Sequence, residues 1–102
     1  MFSLQEKTAI VSGGSKGIGK AIAFKYAEAG ANVVICSRKK DNLDSAVSEA
    51  KSSGLDIAGI ECHTGDIKSI EHVVDYTIEK FGKIDILVNN AAANPYYGPI
   101  LN

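Results

Sequence analysis

The fold of this chain is decided by residues 8–38, which read TAIVSGGSKGIGKAIAFKYAEAGANVVICSR. An apolar strand, a glycine-rich turn, an amphipathic helix and a second apolar strand follow one another in this stretch. The same alternation of strand and helix patterns continues to residue 88. Strands that are joined by helices are parallel, so the order βαβαβαβ predicts a doubly wound parallel α/β sheet of the Rossmann type.

The bounds of the predicted elements follow from the apolar spacing. Asp41 is predicted to cap the second helix, and glycines at 30, 54 and 82 are predicted to end the three helices. The predicted strands span residues 8–11, 33–36, 57–62 and 84–88. The predicted buried faces comprise Ile18, Ala21, Ile22, Tyr26 and Ala29 in the first helix, Leu43, Ala46, Val47 and Ala50 in the second, and Ile70, Val73, Val74, Thr77, Ile78 and Phe81 in the third.

Composition excludes several classes of protein. The chain has 102 residues, 45% of them hydrophobic, a net charge of −1 and no apolar run that approaches 18 residues. We therefore expect one globular domain over residues 1–102, with neither a membrane nor a nucleic acid as partner. Cys36 and Cys62 lie in strand-like runs without metal-ligand spacing, which predicts reduced thiols, no metal site and a cytoplasmic location.

The glycine-rich turn at residues 12–19, SGGSKGIG, lies between the first strand and the first helix. Glycines let the backbone approach a pyrophosphate, and the start of a helix offers unpaired N–H groups. A plain tight turn is the alternative interpretation. Because the turn stands within a strand–helix–strand unit, where such motifs bind dinucleotides, we predict phosphate binding.

A nucleoside-triphosphatase P-loop is a second interpretation of the same turn. The stretch Gly14-x-x-x-x-Gly19-Lys20 matches the first seven positions of that motif, but the eighth is Ala21 instead of the Ser or Thr that holds Mg²⁺. We rank this interpretation far behind dinucleotide binding, because triphosphate hydrolysis depends on that metal.

The end of the second strand indicates which dinucleotide is bound. An NAD site places an acidic residue there for the ribose 2′-hydroxyl, whereas this chain reads Ser37-Arg38-Lys39. Cationic groups attract a 2′-phosphate, so NADP(H) is favoured over NAD(H), and Lys16 could reach the same phosphate. The alternative is a solvated basic run at a strand–helix junction.

Three motifs together resemble the short-chain dehydrogenase/reductase family: residues 12–19, Asp66-Ile67 and residues 89–92, NNAA. The resemblance implies that the first motif lies along the pyrophosphate and that Asp66 and Ile67 hold the adenine. The last motif would run along the ribose. Ser12 and Ala92 depart from the usual Thr and Gly. The cofactor-binding residues implied by the resemblance are Gly13, Ser15, Lys16, Gly17, Ile18, Gly19, Asp66, Ile67, Asn90, Ala91 and Ala92. The charge at the end of the second strand adds Ser37, Arg38 and Lys39 to this set.

Within that family, the chain looks most like the NADPH-dependent carbonyl and retinal reductases, which transfer hydride between nicotinamide and a carbonyl or alcohol substrate. Family members are often homo-oligomers, so we expect a full-length form to be one. Whether a longer form carries an organelle signal stays an open question. Tyr96 and Tyr97 could contact the substrate, and they could equally pack against the edge of the sheet.

The family's catalytic Ser and Tyr-x-x-x-Lys pair would come later than residue 92, which predicts an incomplete domain without catalytic residues. The one Tyr-x-x-x-Lys match is Tyr76 to Lys80, and we expect Tyr76 on the solvated face of the third helix. A non-catalytic binding or interaction module is therefore an open alternative. The unpaired fourth strand further predicts marginal stability or self-association.

Overall fold

The computed structural model of the chain describes residues 4–13, 17–63 and 66–89. These residues form four strands: β1 (Thr8–Ser12), β2 (Asn32–Ser37), β3 (Ile57–Glu61) and β4 (Ile86–Asn89). The four strands are parallel and form one sheet in the order β3-β2-β1-β4, which confirms the predicted fold class. None of the described helices is both long enough and apolar enough to cross a membrane.

Three helices cover the two faces of the sheet: α1 (Gly17–Glu28), α2 (Lys40–Ser52) and α3 (Ile67–Phe81). Alternate residues of β2 point to opposite faces, as the pleat of a strand requires. Val33 and Ile35 pack in the cluster of α1 and α2, whereas Val34 and Cys36 pack in the cluster of α3. All four are at most 4% exposed, so β2 is buried on both faces.

The ends of the helices follow the sequence with one correction. The residues at 30, 54 and 82 are glycines with positive φ, as predicted for helix ends. Asp41, however, does not cap α2. The helix already begins at Lys40, the preceding Lys39 makes no side-chain cap, and Asp41 lies in the first turn. The earlier start follows from Ser37, whose hydroxyl accepts a hydrogen bond from the Lys39 N–H at 3.3 Å and turns the chain there.

Helix α3 packs on the sheet with only part of the face that was predicted to be buried. Val73 and Thr77 are buried, but three residues of the expected buried face are 38–44% exposed: Ile70, Val74 and Ile78. Tyr76, expected in solvent, is half-buried against the cluster of α3 instead. The prediction was correct for Val73 and Thr77 and wrong for the three exposed residues, and Phe81 is half-buried. Apolar side chains cover more than half of the helix circumference, and periodicity cannot decide which part of such a broad arc packs on the sheet.

In α1 the prediction is correct only in part. Ile22 and Tyr26 pack against the core, but Ile18 is 72% exposed and Ala21 is also exposed. Ala23 is fully buried in their place. A small side chain lets the helix approach the sheet closely, and such a contact produces no strong hydrophobic periodicity in the sequence.

Candidate functional site

The carboxyl ends of the four strands lie along one edge of the sheet, which we call the carboxyl edge. Ser12 stands between Cys36 of β2 and Asn89 of β4 in the strand register. One position further along β2, Ser37 is paired with Glu61 of β3. In doubly wound sheets, ligands bind in the crevice outside this edge. The segments that follow the strands are therefore the candidates for a binding site.

The glycine turn leaves β1 at this edge. The Gly13 N–H donates to the Cys36 carbonyl at 2.8 Å, and Gly13 has a φ of 73° that other residues rarely adopt. Gly17, with a φ of 57°, opens α1, and no acidic residue lies in the first turn of that helix. Free N–H groups at a helix start attract anions, and nothing in the described first turn opposes them. The predicted contacts Ser15 and Lys16 lie outside the described residues.

Beneath this turn lies a buried polar atom. The Ser12 side chain is 7% exposed, and its hydroxyl has no well-formed hydrogen bond to any described residue. Buried hydroxyls almost always find a partner, so this atom is a candidate contact for a bound group or for the adjoining turn. Sequence reasoning noted Ser12 as the first position of a motif but did not count it among the binding residues.

Lys20 argues against the P-loop interpretation. The lysine of a P-loop must reach the phosphates that the turn holds. Here the Lys20 ammonium forms an ion pair with Glu49 of α2 at 2.5 Å. It also lies 5.8 Å from the centre of the Phe24 ring. The lysine is therefore directed toward the neighbouring helix.

Two cations stand at the end of β2 without ionic partners. Arg38 and Lys39 are exposed and form no ion pair with any described residue. The next cation, Lys40, is paired with Asp44 at 3.2 Å. Arg38 and Lys39 are therefore available to an anion. A surface cavity of about 410 Å³ beside them is lined by Lys39, Lys40, Asp41 and Asn42.

The start of α3 contributes a carboxylate and an apolar side chain. Asp66 caps the helix by accepting a hydrogen bond from the Lys68 N–H at 3.0 Å with one carboxylate oxygen. Its second oxygen makes no hydrogen bond with the described part of the chain. Ile67, the first helical residue, is 74% exposed. Ile67 and Ile18 thus expose large apolar side chains at the same edge of the sheet.

The predicted contacts Asn90, Ala91 and Ala92 lie outside the described residues, as do Tyr96 and Tyr97. Among residues 4–13, 17–63 and 66–89, no group of three or more His, Cys, Asp or Glu side chains could hold a metal. A second cavity, the amino-edge cavity, has a volume of about 250 Å³ and lies at the opposite edge of the sheet. It is lined by Ala27, Gly30, Ala31, Asn32, Gly54, Leu55, Asp56, Ala58, Lys80 and Phe81.

Two free thiols lie below the carboxyl edge. Cys36 lies in β2 and Cys62 directly follows β3, and both are buried in the cluster of α3. Burial, together with the neighbouring Cys62, raises the pKa of the Cys36 thiol to about 12, although the nearby Ser12 hydroxyl acts in the opposite direction. A thiol with such a pKa stays protonated and is a poor nucleophile. These cysteines therefore belong to the packing of the sheet.

Comparisons with known proteins agree with this geometry. The family model for short chain dehydrogenases matches residues 7–99. The short-chain dehydrogenase/reductase SDRA of Arabidopsis thaliana is 46% identical over 99 residues, which cover 97% of this chain and 39% of the relative. Tropinone reductase-like 3 of Erythroxylum coca is 47% identical over 89 residues, covering 87% of this chain and 34% of that protein.

The solved structures show the same arrangement of strands and helices. The crystal structure of hydroxysteroid dehydrogenase from Escherichia coli superposes with a TM-score of 0.85 at 35% sequence identity. The superposition covers 97% of this chain and 43% of that enzyme. The chain thus spans about two fifths of the length of the proteins that it matches.

Proposed function

The chain belongs to the short-chain dehydrogenase family, and we propose that it forms the NADP(H)-binding portion of an oxidoreductase. Proteins of this family bind nicotinamide dinucleotides and act on small molecules. The observation that carries the proposal is the position of two features at the carboxyl edge. The glycine turn leads from β1 into α1, and the neighbouring strand β2 is followed by Arg38 and Lys39, which form no ion pair with a described residue.

The glycine turn would hold the pyrophosphate. Backbone N–H groups at the start of α1 donate to phosphate oxygens, and the positive end of the helix dipole favours their charge. The buried Ser12 hydroxyl would find a partner there, either in the ligand or in the ordered turn. The proposed contacts in this part of the site are Gly13, Ser15, Lys16, Gly17, Ile18 and Gly19.

The cations after β2 would distinguish NADP(H) from NAD(H). A 2′-phosphate carries two negative charges near neutral pH, and a guanidinium can bind it with two parallel hydrogen bonds. The Ser37 hydroxyl orients this segment by accepting from the Lys39 N–H. Arg38 and Lys39 then face solvent beside the surface cavity at the start of α2.

The adenine would lie against the start of α3. The second oxygen of Asp66 can accept from the adenine amino group while the first caps the helix. Ile67 would cover one face of the ring, because its apolar side chain is 74% exposed at that edge. Asn90, Ala91 and Ala92 stay predicted contacts to the ribose.

When bound, the cofactor supplies the hydride for a carbonyl or accepts it from an alcohol. The names of two similar proteins, a tropinone reductase-like protein and a hydroxysteroid dehydrogenase, support such substrates. In this proposal the described residues bind and orient the cofactor. Tyr76 packs against the sheet, and we propose that the 102 residues alone do not catalyse hydride transfer. The retinal-reductase branch, a homo-oligomeric full-length form and a cytoplasmic location stay predictions.

Fluorescence titrations of the 102-residue chain with NADPH and NADH test the proposal. We expect NADPH to bind about tenfold more tightly, which corresponds to roughly 1.4 kcal/mol. Arg38→Asp should remove this preference, because a carboxylate repels the 2′-phosphate and accepts from a 2′-hydroxyl. Lys51→Asp, the same charge change on the exposed end of α2, is the matched control and should leave the preference intact. An unchanged ratio in Arg38→Asp would contradict the assignment.

A further inference from the structure

The amino-edge cavity lies at the edge of the sheet opposite the glycine turn, and no residue of the proposed cofactor site lines it. Residues from the ends of all three described helices do so: Ala27 of α1, Gly54 after α2 and Phe81 of α3. Its volume of about 250 Å³ is below the roughly 300–1,000 Å³ of pockets that hold larger organic ligands. The cavity is therefore too small for a dinucleotide but large enough for a small metabolite.

Two side chains of opposite charge line this cavity without neutralising each other. Lys80 lies near the end of α3, and Asp56 directly precedes β3. Neither forms an ion pair with a described residue. A single unpaired charge on a surface needs no explanation, but a separated pair at one cavity is complementary to a ligand that carries both signs of charge.

The Phe81 ring positions the cation of this pair. The Lys80 ammonium lies 5.6 Å from the centre of that ring, and both residues line the cavity. A cation within about 6 Å of an aromatic ring is attracted by the electrons of its face. This attraction keeps the ammonium at the wall of the cavity, where it can bind a carboxylate.

An amide oxygen accompanies the anion of the pair. Val33 is paired with Ile57 in the strand register, so Asn32 and Asp56, each one residue earlier, stand side by side. The Asn32 amide nitrogen donates to the Thr8 hydroxyl at 3.5 Å, and its oxygen accepts no hydrogen bond from the described part of the chain. The carboxylate and the amide oxygen can therefore accept hydrogen bonds from the same ammonium group of a ligand.

The ends of the helices strengthen the preference for an ammonium on this side. Gly30 and Gly54 follow the carboxyl ends of α1 and α2, and both glycines line the cavity. The carboxyl end of a helix carries a partial negative charge, which attracts cations and repels anions. A simple anion is thus opposed by Asp56 and by the helix ends, whereas a simple cation is opposed by Lys80.

The remaining wall of the cavity is apolar. Leu55, Ala58 and Phe81 line it, and all three side chains are half-buried against the core. A small aliphatic group placed on them would be removed from water, which favours binding. The cavity therefore combines a site for an ammonium, a site for a carboxylate and an apolar surface.

We propose that the amino-edge cavity binds an aliphatic α-amino acid in its zwitterionic form. Asp56 and Asn32 hold the ammonium, Lys80 holds the carboxylate, and the aliphatic side chain lies on the apolar wall. The proposed cofactor site is at the opposite edge of the sheet. The proposal therefore holds whether or not the chain binds NADP(H).

The first test compares L-valine with two analogues that each lack one charge. Isovalerate is valine without its ammonium, and isobutylamine is valine without its carboxylate. Amide chemical shifts of the 102-residue chain should change saturably at Gly30 and Gly54 as valine is added. Each analogue should bind about fivefold more weakly, as expected for the loss of one partly exposed ion pair. No saturable change with valine, or equal binding of either analogue, would overturn the proposal.

The second test assigns the two charges to their partners. Asp56→Asn should remove the advantage of valine over isovalerate, and Lys80→Gln should remove its advantage over isobutylamine. Asp75→Asn and Lys68→Gln, the same changes on exposed residues of α3 that do not line the cavity, are the matched controls and should keep both advantages. An advantage that persists in Asp56→Asn or Lys80→Gln would overturn the assignment.

The same samples separate this proposal from the proposed cofactor site. Each variant should keep the wild-type amide shifts at Gly13 and Gly17, which shows that its sheet is folded. NADPH added to the valine-saturated chain should then change the shifts at these two glycines. Failure of NADPH to do so would contradict the cofactor assignment alone, whereas displacement of valine by NADPH from Gly30 and Gly54 would overturn the present proposal.

Discussion

Thr8 and Asp85 join the first and last strands of the sheet through two reciprocal hydrogen bonds. The Thr8 N–H donates to the Asp85 carboxylate at 2.8 Å, and the Asp85 N–H donates to the Thr8 carbonyl at 2.8 Å. The ammonium of Lys83 lies 3.5 Å from the same carboxylate. Because 77 residues separate the two partners, this contact fixes the register between β1 and β4.

Asp85→Asn should make the chain less stable at pH 7 and less sensitive to acid. The hydrogen bond from Thr8, followed by the charge of Lys83, lowers the pKa of Asp85 from its ordinary value of 3.8. A carboxyl whose pKa is lower when folded stabilises the fold above its unfolded pKa, and this contribution is lost as the pH falls through the folded value. Urea unfolding from pH 7 to pH 2 measures the effect.

The matched control is Asp56→Asn, at an exposed carboxylate that forms no ion pair with a described residue. We expect this control to follow the wild-type acid profile. Identical acid profiles for Asp85→Asn and the wild type would show that the Thr8 contact does not stabilise the folded state.

Two isoleucine substitutions separate the core from the binding edge. Ile35 is fully buried, so Ile35→Ala should lower the free energy of unfolding by about 3 kcal/mol. Ile18 is 72% exposed, so Ile18→Ala should change stability by less than about 0.5 kcal/mol. Ile18→Ala should nevertheless weaken NADPH binding if this side chain covers the cofactor. Equal losses of stability in the two variants would contradict the described packing.

The Cys36 thiol should be unreactive in the folded chain. Its pKa of about 12 means that thiolate is scarce at pH 8, and burial blocks access as well. A thiol whose pKa is raised on folding stabilises the fold below its ordinary value of 9.0, and this contribution decreases as the pH rises toward 12. Labelling with a thiol reagent at pH 8 should be slow until urea unfolds the chain, and rapid native labelling would argue against burial.

The sequence predicted the order of strands and helices because each apolar run is short and is separated from the next by a turn. It could not predict the orientation of α3. Both Val73 and Val74 are apolar, and only the packed sheet decides that Val73 is covered while Val74 stays 38% exposed. Asp41 was misjudged for a similar reason, since the Ser37 turn that starts α2 early depends on one local hydrogen bond.

Part of the candidate site could also be read from the sequence. The glycine spacing and the cations after β2 were recognised because backbone approach and charge require particular residue types at fixed positions. The burial of the Ser12 hydroxyl and the capping role of Asp66 were not, because they depend on packing and on atoms brought together by the fold. Such properties have no spacing signature in a single sequence.

The location of NADPH on the folded chain tests the central claim most directly. Amide chemical shifts of the 102-residue chain are recorded in solution as NADPH is added. We predict the largest changes at Gly13, Gly17 and Arg38, at the carboxyl edge of the sheet. Changes confined to the amino-edge cavity, at Gly30 and Gly54, or no change at any amide, would contradict it.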